Sequence, residues 1–492
     1  MKNAILAYDV GTSSVKATLF DEQGSTLASA SQSYTTNHPV SGWAEQNPHD
    51  WWNCVVKSTQ ELMAQPDASG VSVAAIGCSG HMMGCLPVDA EGEPLYRCLI
   101  HSDSRAQTQY ERIVREIGIG RLYEMTGNIL DPRSSLPKML WFAETEPEIY
   151  AKTAKFLQSK DYITAKLTGN IDTTDYSDAS HGVMFDICAK KYDNALYTAL
   201  GLSADKLPEV HRSMDIAGKL TDEAARVLGL PAGIPVAAGA GDGICANIGS
   251  GTSKPGDAYI SLGTTAWIAR CAEKPLLDNK RRVFNIMAAD GDSFGVFGTT
   301  QSACGALDWA RKILGEDDLA VWNEQAATVD PGCGGLVFLP YLDGERSPIF
   351  DPKARGVFFG MSASHTRAHF MRAVLEGVAF ALRSIRDVMA ETEPLDKLRI
   401  IGGGAKSELW CRIIADVLGC TLEVPRMQSS DVTSLGAAVI AGEAVGLLSR
   451  SSVSGFGVID TKQTLPVQDT KAAYDKAYET YSKLYPAVKE LF

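Results

Sequence analysis

The stretch "LAYDVGTSSVKATLFDEQG", residues 6–24, runs from apolar residues through an acid and a small-residue turn into alternating residues. A near copy, "AYISLGTTAWIARCAE", returns at residues 258–273, with Ser261 standing 252 positions after Asp9. Each copy predicts strand, tight turn, strand. A repeat this far apart predicts a duplicated domain rather than a stack of short repeats. In a chain of 492 residues, too long for one core, that means two related halves.

Around the first hairpin the pattern continues as an Asp-Glu-Gln-Gly turn at 21–24 and a third strand from Ser25, an antiparallel meander. Asn47 then caps a helix with Pro48 in its first position and Trp51, Trp52, Val55, Val56, Thr59, Leu62 and Met63 at helical spacing. The strand "VAAIGCSG" follows and ends at His81. Residues 103–232 read as mainly helical, including "SLPKMLWFAETEPEIYAKT" as one pattern, and "GDGICANIGSGTSKPG" is the expected join between halves. Beyond the second hairpin come the helix "QSACGALDWARKIL", the loop "FLPYLDGERSPIFDPKARGVFFGM", a long helix from His365, a strand at 398–401, Gly402-Gly403-Gly404 and a last helix, "SELWCRIIADVLG". The fold class expected is α/β, with functional loops at the strand ends. The domains expected are 1–245 and 246–492.

Turns of Gly, Thr and Ser bring backbone N–H groups and hydroxyls close to an anion, which suits phosphate. One such turn reads equally as a plain hairpin; two facing copies would grip a polyphosphate. The net charge of −13 argues against nucleic acid or anionic lipid as a partner, so an anion must be held locally. Asp9, at the end of its strand, would repel phosphates unless a divalent cation, Mg²⁺ by preference, lay between. Asp242, in "VAAGAGDGICANIG", reads either as a helix N-cap or as a general base taking a hydroxyl proton. Gly402-Gly403-Gly404 reads as close helix-on-strand packing or as open backbone beside a ligand; it has neither dinucleotide nor Walker spacing, which removes the oxidoreductase reading. The eleven cysteines form no C-x-x-C pair and read as reduced thiols. No apolar run reaches membrane-spanning length and Asp9 interrupts the first one, so no leader is expected and the expected location is cytoplasmic.

Taken together, "YDVGTSSVKATLFD", "GDGICANIG", "ISLGTTAWIA" and "IIGGGAKSELWCRIIADVLG" resemble the FGGY carbohydrate kinases, relatives of hexokinase and actin. "GVFFGMSASHTRAHFMRAVLE" matches one family signature, and Lys138-Met139-x-Trp141 the centre of another. Within the family, "GWAEQNPHDWW", "LPYLDGERSP" and "KARGVFFGM" are most similar to xylulokinases. The resemblance implies two ribonuclease H-like domains of actin/hexokinase type closing a cleft over ATP, Mg²⁺ and a sugar. It makes Asp242 the proton acceptor and Asp9 the metal-associated acid, with Asp242 beside the metal. It assigns ATP contacts to Gly11, Thr12, Ser13, Gly263, Thr264, Thr265, Gly403, Gly404 and Ser407, and sugar contacts to His81, Met82, Met83, Asp103 and Asp242. Two departures bear on the sugar. Xylulokinases carry Met-His where Met82-Met83 stand, with His81 one place earlier, and Trp-Asn-Asp where His101-Ser102-Asp103 stand. Asp242 is followed by Gly243, as in gluconokinases, where xylulokinases have Asn. The expected activity is phosphorylation of a terminal hydroxyl of a small open-chain sugar, D-xylulose first, with gluconate, ribulose, L-xylulose and polyols open. A non-catalytic, actin-like sugar-sensing ATPase is the alternative of another class. The expected ligands are sugar and ATP, with homodimerisation an open question.

Overall fold

The structure is a computed structural model describing residues 2–425, 432–448 and 461–492. Strand Lys2–Val10 turns at 11–14 into Ser14–Asp21 and then Thr26–Ser33, all antiparallel. Helix Pro48–Met63, with Asn47 accepting from the His49 amide, carries the chain over the sheet. Strand Val71–Gly80 can therefore pair parallel to Lys2–Val10 on its other side, a return that requires such a crossover. Pro235–Ala237 and Ile216–Lys219 extend the sheet beyond it.

The second half repeats this order. Ala258–Leu262 pairs antiparallel with Ala266–Ala272, which pairs with Phe294–Thr300; after the crossover helix Arg367–Ala390, strand Lys397–Ile401 pairs parallel to Ala258–Leu262 and Thr421–Pro425 follows. Thr461–Thr464 closes one edge, and the added strand Phe284–Met287 the other. The duplication thus appears in topology as well as in sequence, and each half is an α/β layer of the expected actin/hexokinase type. The hairpins differ in one respect. Val10 pairs with Val15 across four turn residues, whereas Leu262 pairs with Ala266 across three.

Each half has its own apolar core, and a third core joins them, drawing Ile5 and Ala7 from the first sheet and Tyr259, Phe297 and Ile401 from the second. Its centre is the crossing of helix Asp242–Gly249 with helix Val432–Ala444. A Cβ on Gly249 would lie 1.8 Å from the Val432 carbonyl oxygen, and one on Gly436 would lie 1.9 Å from that of Cys245. The helices therefore touch backbone to backbone, and only glycine fits there. The expected 245/246 boundary lies within the first of these helices.

The middle segment is helical as expected, but "SLPKMLWFAETEPEIYAKT" forms two helices, Ser135–Thr145 and Pro147–Lys152. Pro147 cannot continue the first helix and starts the second. Among the described residues no helix is long and apolar enough to cross a membrane. The signature segment "GVFFGMSASHTRAHFMRAVLE" builds the second half. It supplies strand Val357–Phe359 and the buried Arg372–Glu376 pair at 2.6 Å, whose carboxylate also receives the Gly332 amide.

Candidate active site

The two acids come from different elements. Asp9 is the second-last residue of strand Lys2–Val10, opposite Ser79 on one side and Lys16 on the other. Asp242 opens helix Asp242–Gly249, but Gly241 is the cap, so the N-cap reading gives way to a first-turn position. Its backbone is anchored from behind. The Gly241 amide donates to the Ser177 hydroxyl, which donates to Asp175, and Asp175 faces the fully buried Lys160 at 3.1 Å.

Enclosure by protein, then the negative charge of Asp9, push the Asp242 carboxyl up to about 7, against the Gly243 amide that draws it down. Asp242 is solvent-accessible, but the water it meets is that of a cleft walled by both halves. Burial likewise raises Asp9 to about 6, with Ser79 and Lys16 opposing. A base must be deprotonated to act, so kcat/KM is expected to rise through a midpoint near 7. In Asp9→Asn a repelling charge is gone, and the midpoint of the same pH profile should move to lower pH.

Asp242 lines a cavity of about 330 Å³ together with Thr12 and Thr265, one from each hairpin, and with His81, Met82 and Met83. Polar contacts from neighbouring elements fix the loop carrying these last three. Lys138 donates to the carbonyls of Met83 at 2.8 Å and Ile100 at 2.7 Å, and Ser159 donates to that of His81 at 2.9 Å. Gln158 receives the Gly84 amide at 2.6 Å. Met83 sits at φ +58°, a left-handed position unusual for its side chain. His81 is 2 % exposed, and neither ring nitrogen has a hydrogen-bond partner among the described residues. Burial lowers it to about 3, so the ring is neutral and keeps one donor and one acceptor.

Asp103 does not line this cavity. The Arg105 guanidinium grips it with Nε at 3.0 Å and Nη2 at 2.8 Å, and it receives the Ala44 amide at 2.6 Å. Its neighbour His101 lines the cavity instead, with Asn128, Asp131, Arg133, His181 and Arg346. None of these six was singled out from the sequence. His101 stood in plain view in the altered Trp-Asn-Asp pattern and Arg346 in "LDGERSP"; nothing in the spacing of the others gave a signal. Gly243 also lines the cavity, and a Cβ there would meet nothing closer than Phe297 at 3.5 Å. Glycine at that position therefore leaves open volume rather than relieving a clash.

On the other side of the hairpins, Gly263 and Gly11 each use their own amide to close their turn, to Thr265 and Ser14. Thr12, Ser13 and Thr264 are exposed. Within Gly402–Gly404 two glycines pack closely and one is open. A Cβ on Gly402 or Gly404 would strike Leu262 at 2.5–2.6 Å, while Gly403 has nothing within 4 Å. Helix Glu408–Leu418 does not begin directly after the glycines. A turn at Gly403–Lys406 intervenes, and Ser407 caps the helix by accepting from the Trp410 amide at 3.1 Å. Among the described residues no three acids, histidines or cysteines form a ready metal cage. Asp9 and Asp242 fit a cation of the Mg²⁺ type, which takes one or two carboxylates and fills its shell with phosphate oxygens and water.

Duplicated halves, a hairpin turn from each at one cavity and two acids beside it define a phosphotransferase of the actin/hexokinase type. The chain belongs to the FGGY family of carbohydrate kinases, with residues 4–249 matching the family's N-terminal domain and 258–445 its C-terminal domain. It is a sugar kinase. It is 31% identical to the xylulose kinase of Bacillus subtilis (strain 168) over 490 residues, 99% of this chain and 97% of that one. It is 30% identical to the gluconokinase of Bacillus licheniformis over 503 residues, 99% of this chain and 97% of that one. The structure of a ligand-bound xylulose kinase from Lactobacillus acidophilus, 26% identical, superposes with a TM-score of 0.92, covering 99% of this chain and 98% of the other. Kinases of this family use ATP, usually with Mg²⁺.

Proposed function

We propose that this kinase transfers the γ-phosphoryl group of ATP to a terminal hydroxyl of a small open-chain sugar, with D-xylulose as the first acceptor. The observation that carries the reading is one cavity bounded by Asp242, His81 and a threonine from each hairpin turn. Asp242, near neutrality in the cleft, takes the hydroxyl proton as that oxygen attacks in line. His81 offers its free ring nitrogens to a sugar hydroxyl, and Met82 and Met83 shape the wall beside it. Gly263, Thr264, Thr265, Gly403, Gly404 and Ser407, from the half after residue 245, form the nucleotide side together with Gly11, Thr12 and Ser13 of the first hairpin. Mg²⁺, held near Asp9 and Asp242, would neutralise charge on the β- and γ-phosphates. Closure of the halves about the crossed helices excludes water, the competing acceptor.

A second acceptor, gluconate, is favoured by Gly243, by Met83 in place of histidine and by the gluconokinase relative. A coupled assay of ADP release across ketopentoses, aldonates and polyols tests both. D-xylulose is expected to give the highest kcat/KM; a higher value with gluconate replaces the acceptor and keeps the kinase. ADP release independent of every sugar would favour the sugar-sensing ATPase.

A further inference from the structure

Arg346 is half-buried, lines the cavity and has no occupant for its guanidinium among the described residues. The two carboxylates beside it are already engaged. Glu345 receives the Thr300 hydroxyl at 2.8 Å and the amides of Gln301 and Arg346 itself, each at 2.7 Å. Asp131 receives the Arg133 fork, Nε at 2.6 Å and Nη2 at 2.7 Å. The loop cannot easily swing away to water, because Ser347 donates its amide to the Thr299 carbonyl at 2.9 Å. A guanidinium held in a half-closed site without an acceptor is costly, so a ligand that supplies one gains strongly.

Arg346 shares that cavity with Asp242, His101 and His181. A guanidinium only donates, so its best match is an oxygen that only accepts. A hydroxyl would need a further acceptor for its own proton, and Asp131 is taken.

We propose that Arg346 is a specificity-determining residue that binds an acceptor-only sp² oxygen of the substrate, a ketose carbonyl or an aldonate carboxylate, and so selects against polyols. The inference rests on the kinase reading above. It is tested by kcat/KM for D-xylulose against xylitol, and for D-gluconate against sorbitol, in wild type, Arg346→Met and Arg346→Lys. Wild type should prefer one oxo compound over its polyol by about 10- to 100-fold, the range of a charge-assisted hydrogen bond. Whichever pair shows the preference identifies carbonyl or carboxylate. Arg346→Met should bring that ratio toward one through the sugar KM, with the KM for ATP unchanged, and Arg346→Lys should restore part of it.

An unchanged ratio in Arg346→Met, a shift in the KM for ATP instead, or a wild type that accepts polyols equally would each overturn the assignment. If wild type phosphorylates no acceptor at all, the kinase reading fails. Arg346 is then judged by thermal stabilisation of the same proteins with the same four compounds. A wild-type preference for the oxo compounds that Arg346→Met loses would uphold it, and equal stabilisation would end it.

Discussion

With Asp242 as the proposed base, Asp242→Asn is expected to lower kcat by about 10²- to 10⁴-fold, the usual worth of a positioned general base, while the KM for the sugar moves little. The amide is nearly the same size as the carboxylate and sits on the same anchored backbone, with Gly241 still tied to Ser177. On the proposed mechanism, what is lost is the acceptor for the hydroxyl proton as the new bond to phosphorus forms. Steady-state ADP release with saturating ATP and varied sugar separates the two constants. A variant with undiminished kcat removes Asp242 as the base, and one whose KM alone rises makes it a binding residue.

Gly436→Val has the second large effect, and it arises far from any reacting atom. The first added carbon would stand 1.9 Å from the Cys245 carbonyl oxygen, inside the helix that Asp242 opens. Backbone cannot yield as a side-chain tip can, so the crossed helices must part. Overpacking of this kind costs about 1–3 kcal/mol or more, and here it also displaces Asp242, the proposed base. Thermal unfolding should show a clear fall in Tm together with loss of kcat. Gly120→Ala is the control, in a helix where a Cβ meets nothing within 4 Å, and its Tm should hold or rise. A Gly436→Val protein as stable and active as wild type would mean that the halves are not joined by this crossing.

The sequence held much of this because some of its signals are local. Strand, turn and strand around Gly11-Thr12-Ser13 and Gly263-Thr264-Thr265 follow from alternation and small turn residues, and Asn47-Pro48 starts its helix as those residues dictate. The longer first turn was hidden, since registers of 10 with 15 and 262 with 266 depend on pairing across the sheet. The helix crossing was also hidden. Gly249 and Gly436 are far apart in the chain, and only packing makes each necessary to the other.

The cavity divides in the same way. Asp242, which lines it, could be singled out because it follows an apolar strand at a place where a strand ends and a helix begins. Asp103 looked equally exposed to a ligand, yet its partner two residues on, Arg105, occupies it in the folded chain. Asn128 and Arg133 reach the cavity from one loop, and His181 and Arg346 from two other segments far along the chain. Their convergence is a property of tertiary structure, which no spacing along the chain encodes.

The account turns on where the phosphoryl group goes. Phosphorus NMR of a reaction with ATP, Mg²⁺ and D-xylulose, and in parallel gluconate, reads this directly. A phosphomonoester resonance coupled to the two protons of a terminal carbon, absent with Asp242→Asn on the same timescale, is the result predicted. Release of inorganic phosphate alone, with every sugar recovered unchanged, would contradict it.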